Sequence, residues 1–510
     1  MTHHDRQNAR WSASFSARPI WMGIWLWWTA LGAHGATISE HEITVRNGSG
    51  IPVPIAFTVF QPDGAPGDTF PLVLVGHGWG ASRVTEIDPV PASLTIVSDG
   101  TLVAKAVERG YGVISFDYRG HGGSGGLSHL MDPRWEVRDI AAILDWADAN
   151  LPWLLRVDGD PRVGLLGQSF GAAYHIPLAT RDSRIDAVVS MVTWHDLTEA
   201  LVPNGVPKST WLDLLYVTGA LATDFKLDPR LTLVLGQSTL ANHAGPLLQR
   251  EFRGHGAAST CARRGPGPSA VPTLLVQGLN DVLFNLNQAV ASRECLDRAG
   301  ADVRLMAVEG GHVIPGLQPP NPAHPACGTL DPVDAGMDWL DEHVKGVTGA
   351  AGYIPPICWN VSLNEAAYAY RHGDHFMPLP PRILPVGLPG KHFLPLRTVS
   401  RSQLLAGIPR ARLRLLPIGE ISVTRPTVFV GVGIQRFGQS DVQVVNGQVT
   451  PVRGGGWHEL DLAGVGARLE AGDTVGLVYQ GASRFFAASG TRYAEYPVQV
   501  TGEAALPLME

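Results

Sequence analysis

Val163-Gly164-Leu165-Leu166-Gly167-Gln168-Ser169-Phe170-Gly171-Ala172-Ala173-Tyr174 is the stretch that decides how this chain is read. A short apolar run comes first, then Gly-x-Ser-x-Gly, then residues that suit a helix. The two glycines let the backbone reverse sharply between strand and helix, leaving the serine exposed at the apex of a strained turn. The same pentapeptide arises by chance in loops, so the motif alone carries little weight. Its context carries more: a strand before, a helix after, and an acid and a histidine in order downstream.

A serine hydroxyl is a weak nucleophile until a neighbouring base takes its proton, and that base needs an acid to orient it. Asp281 follows the apolar run 273–277 in Gly278-Leu279-Asn280-Asp281. His312 follows the run 303–308 in Glu309-Gly310-Gly311-His312. The competing readings are a helix N-cap for Asp281 and a surface-loop histidine for His312. His77 and His121 fall after early strands, where backbone builds the oxyanion site. Negative charge developing on a reacting carbonyl needs fixed donors. The Phe170 amide, directly after the serine, is one candidate. The Trp79 amide, after Gly78 in Gly76-His77-Gly78-Trp79-Gly80, is the other, with a plain tight turn as its alternative.

Apolar runs at 71–75, 112–116, 163–166, 187–192, 273–277 and 303–308 read as buried strands, preceded by short strands at 43–45 and 55–60. Helical segments at 101–109 and 135–149 alternate with them; in the second, Val137, Ile140, Ile143, Leu144 and Trp146 share one face. This alternation predicts a parallel sheet covered on both faces. With the order Ser, Asp, His, the expected fold is an α/β-hydrolase over residues 37–350. The rhythm breaks between about 194 and 269, where segments such as 209–221 read as helical. A lid over the strand ends and simple surface packing both fit such an insertion. Residues 346–356, rich in Gly, Ala and Pro, read as a linker. From 351 onward, short alternating segments separated by turn residues predict an all-β, jelly-roll-like sandwich, with Asn446-Gly447 as a hairpin turn.

At 510 residues the chain is too long for one ordinary core. Hydrophobic content of 45% and charged content of 17% describe a globular protein. A net charge of -7 argues against a nucleic-acid partner. Residues 1–36 read as a secretory signal: Arg6, Arg10 and Arg18, an apolar run at 19–31, and Ala33-His34-Gly35-Ala36 for cleavage. The run is short for a bilayer span, so a secreted or periplasmic protein without a stable span is expected. Cys261, Cys295, Cys327 and Cys358 form no Cys-x-x-Cys pair, which speaks against zinc. An even count in an exported chain suggests two disulfides. Three pairings are open, of which the sequence-nearest joins Cys261 to Cys295 and Cys327 to Cys358. His372-Gly373-Asp374-His375 fits no strong metal spacing, and no metal or cofactor is expected. Asn47-Gly48-Ser49 and Asn360-Val361-Ser362 are glycosylation sequons.

With these motifs in hand, the chain resembles the Xaa-Pro dipeptidyl-peptidase and cocaine esterase-like hydrolases. The matching pieces are Gly167–Gly171, Asp281 with its lead, Gly310-Gly311-His312, Trp194 with Asp196-Leu197, the stretch Pro203-Asn204-Gly205-Val206-Pro207-Lys208, and Gly472-Asp473 with Tyr479 in the tail. The resemblance implies a serine hydrolase with Ser169, Asp281 and His312 as its triad, acting on a small-molecule ester, an amide or a short peptide. It also implies a tail packed on the catalytic core. Cocaine esterase-like members resemble one another in using a tyrosine hydroxyl after the third strand as an oxyanion donor. This chain has Trp79 there, and no acidic group for a peptide's free amine is evident. An ester or amide hydrolase is therefore the first expectation, an Xaa-Pro peptidase the second, and a non-catalytic binding protein on the same scaffold the third.

Overall fold

The computed structural model describes residues 35–510 apart from 47, 49, 88–97, 244, 262–266, 313–329, 363–364, 385–389, 419–426, 488–496 and 510. Almost all of the expected signal segment therefore lies outside the described residues. So do Asn47 and Cys327. Residues Gly35–Glu510 form one compact unit.

The central sheet has ten strands: β1 Ala36–Arg46, β2 Pro52–Pro62, β3 Leu72–Gly76, β4 Gly112–Phe116, β5 Val163–Gln168, β6 Ile185–Met191, β7 Thr273–Gly278, β8 Val303–Val308, β9 Ile357–Ser362 and β10 Glu365–Ala367. Their order across the sheet is β1-β2-β4-β3-β5-β6-β7-β8-β9-β10. From β4 to β9 every neighbouring pair is parallel. The edges formed by β1, β2 and β10 are antiparallel. Strands β3, β4, β5 and β7 are buried at every position, as continuous apolar runs between two helical layers must be.

Helices α1 Asp99–Glu108, α2 Glu136–Asn150 and α3 His175–Ala179 cover the first half of the sheet. Ser98 starts α1 by accepting from the Thr101 amide at 3.1 Å. The insertion is helical as expected: α4 Leu197–Leu201, α5 Ser209–Ala222, α6 Pro229–Ala241, α7 Pro246–Phe252 and α8 Ala258–Cys261. Asp196 caps α4, and Asp228 caps α6 ahead of Pro229, which costs nothing at the first helical position. Helices α9 Leu286–Arg298 and α10 Pro332–His343 complete the layers. The disulfide Cys261–Cys295 fastens the end of the insertion to α9. Cys358 is also disulfide-bonded.

The tail is built mainly of antiparallel sheets, with one short parallel pair, Arg371–His372 beside Gln403–Ile408. One runs Phe376–Leu384, Val498–Ala505, Arg410–Pro417, Gly456–Asp461, and another Lys391–Thr398, Thr474–Gln480, Thr427–Gln435. Alternation along Arg410–Pro417 puts Ala411, Leu413 and Leu415 in the core and Arg412 and Arg414 outside.

Two expectations are corrected. The boundary at 350 falls too early. Strand β9 pairs parallel with β8 and so belongs to the catalytic sheet. The stretch read as a linker packs against that sheet: Ala351 and Ile354 are buried, and both their carbonyls accept from Arg304 Nη1. Its glycines serve tight turns rather than slack. Second, Asn446-Gly447 closes no hairpin. Both residues have positive φ, +53° and +65°, as such a turn requires. The flanking strands Val442–Val444 and Thr450–Arg453, however, each pair with Thr427–Gln435 rather than with one another. Asn360 is buried within β9, so the second sequon is closed to modification of the folded chain.

Catalytic sheet and tail share apolar clusters. One contains Leu165 from β5, Trp194 and Trp211 from the insertion, and Phe429, Phe485 and Phe486 from the tail. Another joins Leu279 and Leu286 to Ala406 and Ile408.

Candidate active site

Ser169 follows β5 directly and has φ +52°, a left-handed conformation that a non-glycine residue holds only when its surroundings enforce it. The enforcement is visible. A Cβ on Gly171 would lie 2.3 Å from the Gly76 carbonyl oxygen, and one on Gly167 would lie 2.5 Å from the Gly171 carbonyl oxygen. Only glycine at both places lets the turn press against β3. Thr193 Oγ1 donates to the Ser169 carbonyl at 2.9 Å and secures the apex.

The loops after β7 and β8 bring the acid and the histidine to this serine. His312 Nε2 lies 2.9 Å from Ser169 Oγ, and His312 Nδ1 lies 2.5 Å from Asp281 Oδ2. A carboxylate only accepts, so Nδ1 carries the proton and Nε2 is left free to accept from the serine hydroxyl. Asp281 is fully buried. Its Oδ1 accepts from the Leu283 amide at 3.0 Å and the Phe284 amide at 2.8 Å, and Oδ2 also accepts from Gln277 Nε2 at 3.0 Å. Asp281 caps no helix, since α9 begins at Leu286 with Asn285 as its N-cap; one carboxylate oxygen holds its own loop and the other faces His312. Phe284 packs edge-on against His312 with ring centroids 4.8 Å apart.

The loop after β3 lies on the other side of the serine. The Gly78 amide donates to Asp99 Oδ2 at 2.9 Å, so it is committed elsewhere. Burial raises the Asp99 carboxyl above its ordinary range. Trp79 follows, its ring edge-on to Phe170 at 5.0 Å. Its indole Nε1 donates to the Leu215 carbonyl of α5 at 2.8 Å. Gly219 of α5 leaves room for that ring, since a Cβ there would sit 2.0 Å from Trp79 Cζ2. The insertion therefore covers the serine and grips the tryptophan of the loop after β3.

Ser169, Trp79 and Phe170 line an apolar pocket together with Trp194, Leu215 and Phe284. None of its described lining residues is charged. The other histidines near the strand ends are buried and neutral. Burial lowers His77, pushes His121 down to about 3, and pushes His175 down to about 3. His77 Nδ1 sits 2.8 Å from the Gly78 carbonyl, and His175 Nδ1 sits 2.8 Å from Ser190 Oγ. His372 of the weak metal motif is taken up by Glu294, 2.9 Å from Nε2. No cluster of metal-ligating side chains occurs among the described residues, and no helix among them is long and apolar enough to cross a membrane.

The structure brings together the three residues that the sequence singles out, Ser169, His312 and Asp281, but their supports leave no signal in the sequence. Lys208 is almost wholly buried, and its Nζ donates to the Leu283 carbonyl at 2.8 Å. Burial pushes its amine down to about 7, against the pull of Asp281. Lys208 stands in the stretch that carried part of the resemblance, yet no spacing rule announces its role. Gln277 and Gln448, which also hold the acid loop, are equally silent in the sequence.

Among solved structures, the chain is similar to an aminopeptidase from a marine sediment Thaumarchaeota archaeon. The TM-score is 0.67 at 13% identity, covering 93% of this chain and 96% of the other. It is also similar to a CocE/NonD family hydrolase from Staphylococcus aureus, with TM-score 0.59 at 12% identity, covering 93% and 94%. These likenesses establish the fold: an α/β-hydrolase with a helical cap and a C-terminal β-region. A curated relative, an uncharacterized 31.7 kDa protein of the traX-finO intergenic region of Escherichia coli, is 28% identical over 142 residues. That match takes in 28% of this chain and only 43% of the relative's length. The model of the X-Pro dipeptidyl-peptidase (S15) family matches residues 49–314, more than half the chain, with Ser169, Asp281 and His312 inside the matched span, and the chain belongs to that family.

Proposed function

We propose that the protein is a serine hydrolase that cleaves esters or amides of uncharged, apolar acyl groups through an acyl-enzyme. Family membership supports a hydrolase. The observation that carries the finer reading is the continuous hydrogen-bonded chain from Ser169 Oγ through His312 to Asp281. Ser169 Oγ bonds to the carbonyl carbon as His312 Nε2 takes its proton. Asp281 holds the tautomer and offsets the charge on the imidazolium. The amides of Phe170 and Trp79 receive the oxyanion. Collapse breaks the bond to the leaving alcohol or amine, which departs with the proton from His312. Water then repeats the relay and frees the acid.

Xaa-Pro dipeptides carry an ammonium that must be met by an opposite charge, and burying it unpaired costs several kcal/mol. Among the described residues, the pocket at Ser169 is lined by no charged side chain. Turnover of a panel of p-nitrophenyl esters beside Xaa-Pro-p-nitroanilides tests this. Uncharged acyl esters are expected to be hydrolysed, with Xaa-Pro anilides at least about 100-fold poorer in kcat/KM. Preference for the anilides would restore the peptidase reading.

Export is part of the same proposal. It is supported by the residues at 1–36 and by the Cys261–Cys295 bond, since disulfides persist in oxidising compartments. The purified exported protein is expected to begin near Gly35 or Ala36 and, denatured without reductant, to show no titratable thiol. An intact N-terminus would show that the segment is retained as an anchor, and four reactive thiols would place the protein in a reducing compartment.

A further inference from the structure

Gln448 lies in the tail, 167 residues beyond Asp281, and is buried. Its side-chain Nε2 is 3.0 Å from the Leu279 carbonyl oxygen and 2.9 Å from the Asp281 carbonyl oxygen. Two facing acceptors fix which end of the amide is the nitrogen. The neighbouring Asn446 Nδ2 lies 3.1 Å from Asn280 Oδ1, while its own Oδ1 accepts from the Gly466 amide at 2.9 Å. The left-handed turn at Asn446-Gly447, read from sequence as a hairpin, thus presents two side chains to the loop that carries the acid. The same loop is held at Leu283 by Lys208 and at Phe284 by Gln277, whose Nε2 lies 2.7 Å from the Phe284 carbonyl. Asp281 Oδ2 can meet His312 only if the backbone from Leu279 to Phe284 keeps its path. The buried carbonyls at both of the loop's early corners find their donor in Gln448.

We propose that Gln448 is a positioning residue for the acid of the triad, so that the tail completes the catalytic centre. The proposal rests on the reading of Ser169, His312 and Asp281 as a triad. Gln448 touches neither substrate nor reacting atoms; it acts through the loop that aims Asp281. Displacing a catalytic group by about 1 Å costs on the order of 100-fold in rate.

The test compares Gln448→Met, which keeps the length of the side chain and removes its donors, with Leu413→Ala in the tail's own core. Turnover of a p-nitrophenyl ester, the rate of fluorophosphonate labelling and Tm are measured on the full chain. Gln448→Met is expected to lower kcat and the labelling rate together by about 10- to 100-fold, with KM little changed. Leu413→Ala is expected to lower Tm and leave kcat and labelling as in the wild type. If Gln448→Met does not fold, Gln448→Glu keeps the shape, can donate to at most one of the two carbonyls and only when protonated, and is expected to show the same paired loss, deepening as pH rises. Wild-type kcat and labelling in a folded Gln448 variant would overturn the proposal. So would an equal kcat loss in Leu413→Ala, which would make the effect one of general stability. Ser169→Ala serves as the reference. If it is inactive while Gln448→Met is normal, only the positioning role falls. If it is active, the triad reading itself falls.

Discussion

Replacing Ser169 by alanine is expected to reduce kcat by roughly 10⁴- to 10⁶-fold while the protein stays folded. The hydroxyl's partner in the structure is His312 Nε2, at 2.9 Å. The turn that carries the serine is fixed by Gly167, Gly171 and the Thr193 hydroxyl, none of which needs the Ser169 side chain. Losing the hydroxyl therefore removes the bond-forming atom and leaves its setting intact. Alanine also meets the same backbone demand at φ +52° without adding bulk. Steady-state turnover and Tm measured on the same preparation check this. A variant near the wild-type rate would remove Ser169 from the chemistry.

The second large effect is expected from Asp281→Asn, about 10⁴-fold in kcat. The reason is a count of donors. Asp281 accepts from four groups: the Leu283 and Phe284 amides on one oxygen, Gln277 Nε2 and His312 Nδ1 on the other. Asparagine has one oxygen to offer. If it satisfies the two backbone amides, its NH₂ faces His312 and Gln277. His312 Nδ1 must then accept, its proton moves to Nε2, and Nε2 can no longer take the serine proton. If the amide flips, two buried backbone donors lose their acceptor, and each such loss costs about 1–3 kcal/mol. Either outcome slows acylation. A pre-steady-state burst measured with a p-nitrophenyl ester should become slow or vanish, and an undiminished burst would move the acid to another residue.

The proposed triad is legible in the sequence because each of its residues is announced by local pattern. A serine between two glycines at a strand end and an acid and a histidine after later apolar runs are short-range signals. The order of sheet strands then brings these separate loops to one end. The parallel strands were legible for the same reason: β3, β4, β5 and β7 are buried on both faces, so they read as unbroken apolar runs. The antiparallel edge strands were read too short. β1 exposes alternate positions, and its polar residues Ser39, Glu40 and Glu42 dilute the apolar signal. The domain boundary was misplaced because glycine, alanine and proline at 346–356 look like slack, whereas Ala351 and Ile354 are anchored by Arg304 from β8. Asn446-Gly447 specified a left-handed turn but not what the turn touches. Long-range contacts such as Gln448 with Leu279 and Asp281, or Lys208 with Leu283, leave no periodic trace in the chain. They depend on how the insertion and the tail dock on the sheet. Trp79 shows the same limit from another side: its place after β3 was plain, but its grip on α5 through Leu215 was not.

The central claim is that one serine, activated by His312 and Asp281, attacks the substrate carbonyl. It is tested most directly by reacting the wild-type protein with a fluorophosphonate and mapping the adduct by peptide mass spectrometry. A single phosphonyl adduct is expected, on Ser169, absent from Ser169→Ala and forming far more slowly in Asp281→Asn. An adduct on another residue, or none at all in protein that turns over an ester, would contradict it.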